Sequence, residues 1–237
     1  MTVRVTKETQ PRVVLKGANS GSVNSGVLSG SGDGVRVSMT FTATAEPLIV
    51  IPYGNVAEAQ LEAGSFATSY IPTSGSQQTR SADLASIPVT AFGYNQDAGT
   101  IVVEYDSVAP NTVTNRRVFA LTGEPVGNEQ VGVYASSGNL HRGYVVNDGA
   151  LIGVPIGATG WTENQFYNSA LTVDATDATI SVDGAAAVTD PTGSMPTINT
   201  LSLGSEASNS NFLNGHIKSI QYFPRRLTNT QLQELTS

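Results

Sequence analysis

"LTVDATDATISVDG", residues 171–184, decides the fold class. Leu171, Val173, Ala178, Ile180 and Val182 fall at alternate places within two short runs, with Thr, Asp and Ser between them. Successive side chains on an extended chain point to opposite faces, so this period of two marks two half-buried strands. The Asp183-Gly184 pair ends the second run with a turn signal. The pattern extends outward from here. "TIVVEYD" (100–106) sets Ile101, Val103 and Tyr105 inward and Val102, Glu104 and Asp106 outward. "VRVSMTFT" (35–42) sets Val35, Val37, Met39 and Phe41 on one face, and "TLSLG" (200–204) does the same with Leu201 and Leu203. Asp148-Gly149 and the Ser136-Ser137-Gly138-Asn139 cluster add turns. Short antiparallel strands punctuated in this way predict an all-β protein, a sandwich or jelly roll.

Composition agrees and narrows the function classes. The chain has 237 residues, enough for one large or two modest domains, and its 24 Gly serve many turns. No Cys is present, which removes disulfides, thiolate metal sites and a Cys nucleophile. The net charge of −7 argues against nucleic acid as a partner. No apolar run approaches the ~20 residues of a membrane helix, so membrane insertion is not expected. "MTVRVTKETQ" has no apolar core of a secretory signal, so synthesis in a cytoplasm is expected.

Two breaks organise the chain. "GANSGSVNSGVLSGSGDG" (17–34) reads as a long Gly/Ser loop, and "TSGSQQTRS" (73–81) as a linker. The expected domains are a small β module over 1–72, with four or five strands, and a complete sandwich over 82–237. The small module has little apolar area to bury alone, and an open sheet edge needs cover, so a homo-oligomer held through 1–72 is expected. The one signalled helix closes the chain in "RRLTNTQLQELTS" (225–237). Thr228 as N-cap and Gln231 three places on form a capping box, Leu227 and Leu232 a hydrophobic staple, and Leu232 and Leu235 a narrow apolar stripe.

"AEAQLEAGSFATSYIPT" (57–73) followed by "TRSADLASI" (79–87) resembles a junction in bacteriophage tail-fibre and other virion proteins. There a partial jelly-roll module leads into a concanavalin A-like, laminin G-like sandwich. The resemblance continues through "AGTIVVEYD", "VGVYASSGNL", "ATISVDGAAAVTD", "TLSLGSEA" and "LNGHIKSIQYFPRRLTNTQLQEL". It thus spans most of 57–237, while the first 50 residues match only in general character. It implies a virion fibre or spike subunit, a trimer with other virion proteins as partners, and a lectin-like domain facing host-surface glycan. A purely architectural virion protein is the alternative, and a capsule depolymerase ranks below both. Physically, Phe66 and Tyr70 read as an aromatic wedge between the domains, stiffened by Pro72.

Candidate chemistry is sparse. Laminarinase-like enzymes of this fold carry Glu-x-Asp-x-x-Glu on one strand; "EYDSVA" offers Glu104 and Asp106 but Ala109 at the third position. The two carboxylates are therefore read as solvent-facing, and no enzyme is expected. His141 and His216 alone exclude a His-rich metal site, and no G-x-S-x-G elbow occurs. No cofactor is expected; calcium on Asp174, Asp177, Asp183 or Asp190 is the one candidate, though turns account for these residues. Sugars need aromatic faces and fixed polar groups. "VYASSGNLHRGYVVND" (133–148) supplies Tyr134, Ser136, Asn139, His141, Arg142, Tyr144 and Asn147 on a hairpin, and "GWTENQFYN" (160–168) adds Trp161 and Tyr167. The carbohydrate candidates are Tyr134, Asn139, His141, Tyr144, Asn147 and Trp161, with Trp161 read as core first. The pairs Arg116-Arg117 and Arg225-Arg226 read as a solvated rim or an inter-subunit contact.

Overall fold

The computed structural model describes residues 59–62, 70–79, 81–108, 115–208 and 210–237 with their side chains, and the backbones of six strands between residues 2 and 60. The chain divides into two units, residues 1–81 and 82–237. The first contains β1 (Thr2–Val5), β2 (Arg12–Lys16), β3 (Val23–Asn24), β4 (Val35–Ser38), β5 (Ile49–Tyr53) and β6 (Val56–Gln60). They form two antiparallel three-stranded sheets, ordered β4-β1-β6 and β3-β2-β5. Against the expected four or five strands, six are described, one of them, β3, within the Gly/Ser stretch. Met39, Phe41 and Phe66 lie outside the described residues, while Tyr70 is exposed. Towards the end of the first unit, residues 71–79 carry neither helix nor strand.

The second unit is a sandwich. One sheet is built from β7 (Ala85–Pro88), β9 (Arg116–Thr122), β10 (Gln130–Ser136), β11 (Leu140–Asn147), β12 (Ala150–Gly153), β13 (Ile156–Gly160) and β17 (Thr200–Leu203), with β8 (Ala98–Tyr105) in the other. The remaining strands of the second sheet are β14 (Tyr167–Asp174), β15 (Asp177–Val182), β16 (Val188–Pro191) and β18 (Ile217–Phe223). The orders are β12-β11-β10-β9-β17-β7, with β13 also on β11, and β16-β15-β14-β8-β18; all pairings are antiparallel. At the β11–β12 hairpin Asp148 and Gly149 both take positive φ, 51° and 76°, the geometry for which Asp-Gly is selected.

Alternation delivers the core. Ile101, Val103, Tyr105, Leu171, Val173, Ala178, Ile180 and Val182 meet Val118, Leu121, Val131, Val133, Val145 and Leu201 between the sheets. The outward face of the five-stranded sheet is covered as well. Val102, expected outside, is buried with Ala170 under Leu227 and Leu232 of the C-terminal segment. Small polar side chains floor this layer: the Thr100 hydroxyl lies 2.8 Å from that of Thr172 and 2.9 Å from the Arg225 carbonyl. Helix α1 (Asn229–Thr236) closes it. Thr228 accepts from the Gln231 N–H and the Gln231 side chain accepts from the Thr228 N–H, completing the capping box. The staple of Leu227 and Leu232 forms, but the second stripe residue, Leu235, is exposed; Thr236 takes the buried place instead.

Candidate functional site

Strand pairing sorts the hairpin residues onto two faces. On β10, Val131, Val133 and Ala135 point into the core, opposite Val145, Gly143 and His141 of β11. Gly132 and Tyr134 therefore face outward, opposite Tyr144 and Arg142. On β9 the register slips by one residue between the partners of Val133 and Tyr134. This bulge lets Val118 and Phe119 both enter the core, turns Arg117 outward opposite Tyr134, and leaves Arg116 fully buried. Two rows result across the outward face. One runs Arg117, Tyr134, Arg142; the next runs Ser202, Ala120, Gly132, Tyr144.

The rows interlock. The Arg117 guanidinium lies 4.8 Å from the Tyr134 ring centre and 4.1 Å from that of Tyr144. The two rings meet edge to face at 5.7 Å. Tyr144 lies over Gly132, where an added Cβ would sit 2.6 Å from the ring and 2.4 Å from the Phe119 carbonyl oxygen. Only a glycine leaves that space. Arg117 Nε donates to Glu206 Oε1 at 2.6 Å, and Glu206 Oε2 accepts from Asn211 Nδ2 at 2.8 Å and Ser210 Oγ at 3.1 Å. Burial pushes the Glu206 carboxyl up, but the Arg117 charge and these hydrogen bonds outweigh it and hold the group below its usual range. Arg117 is thus held by an acid and two rings. Tyr134 and Arg142 are half-buried, while Tyr144 is buried. The Tyr144 hydroxyl and Arg142 Nε are enclosed without hydrogen-bond partners. Burial drives the Tyr144 hydroxyl pKa upward.

Of the six carbohydrate candidates, only Tyr134 and Tyr144 come together here. His141 lies inside the sandwich, its Nδ1 paired with the Tyr105 hydroxyl, and burial pushes its pKa down to about 4. Trp161 is core: its Nε1 donates to the Ser136 carbonyl at 3.1 Å, and the Arg116 guanidinium stacks 3.7 Å from its ring. Asn139 is the turn residue, with φ 62°, and its carbonyl accepts from the Trp161 N–H. Asn147 donates to Ser194 Oγ at 2.7 Å, near the far end of the strand. Tyr167 is also buried, its hydroxyl accepting from the Thr162 N–H.

The charged pairs need correction. Neither Arg116 nor Arg117 is a solvated rim residue. Arg226 bridges Asp174 and Asp177, at 3.6 and 2.6 Å, while Arg225 is exposed. Glu104 faces outward beside Lys218 at 2.6 Å, but Asp106 is buried, not solvent-facing. Its Oδ1 accepts from the His216 N–H at 2.6 Å and lies 3.0 Å from Nδ1. Ala109 lies outside the described residues. The four calcium candidates do not share one site: Asp174 and Asp177 sit together on Arg226, Asp174 capping its own turn through Thr176 and Asp177, while Asp183 accepts from the Asn168 N–H and Asp190 from the Val154 N–H. Among the described residues no three acidic or imidazole groups converge on one point. No helix among them is long and apolar enough to cross a membrane.

No protein-family model matches the chain, and no curated protein does. Solved structures do. The Ruminococcus gnavus IT-sialidase CBM40 bound to α2,3-sialyllactose shares 14% identity over 62% of this chain and 86% of its own, with TM-score 0.53. The same CBM40 bound to α2,6-sialyllactose shares 15% over 62% and 87%, with TM-score 0.50. A heptameric SAP-like pentraxin from Limulus polyphemus shares 12% over 61% and 73%, with TM-score 0.46. At these identities the CBM40 likeness is one of fold: a lectin-like, concanavalin-type β-sandwich.

Proposed function

We propose that the second unit binds glycan on the outward face of its seven-stranded sheet, and that the chain is a fibre or spike subunit of a bacteriophage virion. The row of Arg117, Tyr134 and Arg142 carries the binding reading. A half-buried ring, steadied by Arg117, offers a face to sugar C–H groups, and the Arg142 guanidinium beside it donates to ring hydroxyls. The CBM40 domain, carrying sialyllactose, supports glycan as the ligand class through fold analogy. The virion reading rests on the junction phrase of residues 57–87 and the closing phrase of 213–235. On that reading the chain is a homotrimer alongside other virion proteins, and its partner outside the virion is host-surface glycan. Light scattering of the full chain tests assembly, and a stable monomer at micromolar concentration would overturn the trimer.

A glycan array with the full chain tests binding. Tyr134→Ala is expected to abolish the signal while lowering the melting temperature less than Tyr144→Ala, whose buried ring fills the space over Gly132. An array without hits, or unchanged binding by Tyr134→Ala, refutes the site.

A further inference from the structure

The charges around the platform define its ligand further, granted the glycan-binding reading above. We infer that the site takes a carboxylate-bearing saccharide and that Arg142 is the residue that selects it. Arg117 is already matched: Glu206 pairs with it, and both side chains are nearly enclosed, at 12% and 14% exposure. Arg142 stands on the other side of Tyr134, half-exposed, and no carboxylate among the described residues pairs with it. Its neighbour on β13 in the same row is Ile156, which brings no charge. Two places along β11 on the same face, the Tyr144 hydroxyl also lacks a partner.

This face therefore carries one unmatched positive charge, on a protein whose net charge is −7. A neutral hydroxyl accepts from a guanidinium but leaves its charge uncompensated. A carboxylate is planar, accepts through both oxygens and compensates the charge, which is why the guanidinium fork favours it. The half-buried Tyr134 ring beside Arg142 receives the sugar carrying that carboxylate.

The test is an array of matched pairs, sialyllactose against lactose and oligogalacturonate against oligogalactan, followed by titration of the tighter pair with the full chain. The acidic member is expected to bind about tenfold more tightly, the worth of one charge-assisted hydrogen bond. Raising the salt concentration should narrow that gap. Arg142→Gln should bring the two members within about twofold of each other, the acidic member losing more affinity than the neutral one, while the melting temperature stays unchanged. Equal binding of acid and neutral members by the native chain overturns the inference and leaves the glycan site standing. So does a preference that survives Arg142→Gln. Silence across the whole array refutes the glycan reading itself.

Discussion

Replacing Leu232 by Ala measures how much the helix contributes to the sandwich. Leu232 is fully enclosed among Val102, Ala170 and Leu227, with Phe223 beside them. The substitution removes three carbons, about 2.4 kcal/mol of transfer free energy at ~0.8 per methylene. The cavity left behind raises the cost to roughly 3 kcal/mol, since a floor of paired strands collapses little. For a unit of this size each kcal/mol lowers the melting point by about 2–4 °C, so a fall of roughly 6–12 °C is expected. The assay comes from the sequence: Trp161 is the sole tryptophan and is buried in this unit, so its fluorescence follows the unfolding of the sandwich. Leu235→Ala, on the exposed side of the same helix, is the control and should stay within about 0.5 kcal/mol. A shift below ~2 °C for Leu232→Ala, or equal shifts for both variants, would mean that the helix does not cover the sheet.

Other expectations follow from single contacts. Thr228→Ala removes the capping box and should cost about 1 kcal/mol by the same assay. Tyr94→Phe should be neutral or slightly stabilising, because that enclosed hydroxyl has no partner to lose; a cost above ~1 kcal/mol refutes this. His141 titrates near 4 in the fold and near 6.5 when unfolded, so the unfolded chain holds the extra proton between these values. Stability from this group is therefore complete above pH ~6.5 and is lost as pH falls toward 4, by about 3 kcal/mol in all. Denaturant titrations at pH 4.5 and 7 should show this slope in the native chain and lose it in His141→Gln.

Strands were legible because burial on one face imposes a period of two, and that period holds wherever pairing is regular. The ends of that regularity mark what was missed. Parity along β11 already separates His141 from Tyr144: counting from Val145 puts His141 inside and Tyr144 outside. Reading the hairpin residues as one group overlooked it. Arg117 was less accessible, since the bulge in β9 breaks the count between it and Phe119. Glu206 carries no local signal at all. It sits in a Ser/Asn-rich loop 89 positions from its partner, and only tertiary folding joins them. Val102 reads as outward from the alternation; the helix that covers it is signalled by its own caps, but its docking place is not.

The bulge in β9 has a bearing on how the chain tolerates change in length. It places two adjacent arginines in opposite environments, Arg116 against Trp161 inside and Arg117 against two tyrosines outside. Deleting one residue between 116 and 119 restores a regular ladder and shifts one side of the strand by a single place. A core residue then faces solvent, or a guanidinium loses its stacking partner, although no site residue has been substituted. The platform is therefore expected to tolerate substitution along this strand better than a change in its length.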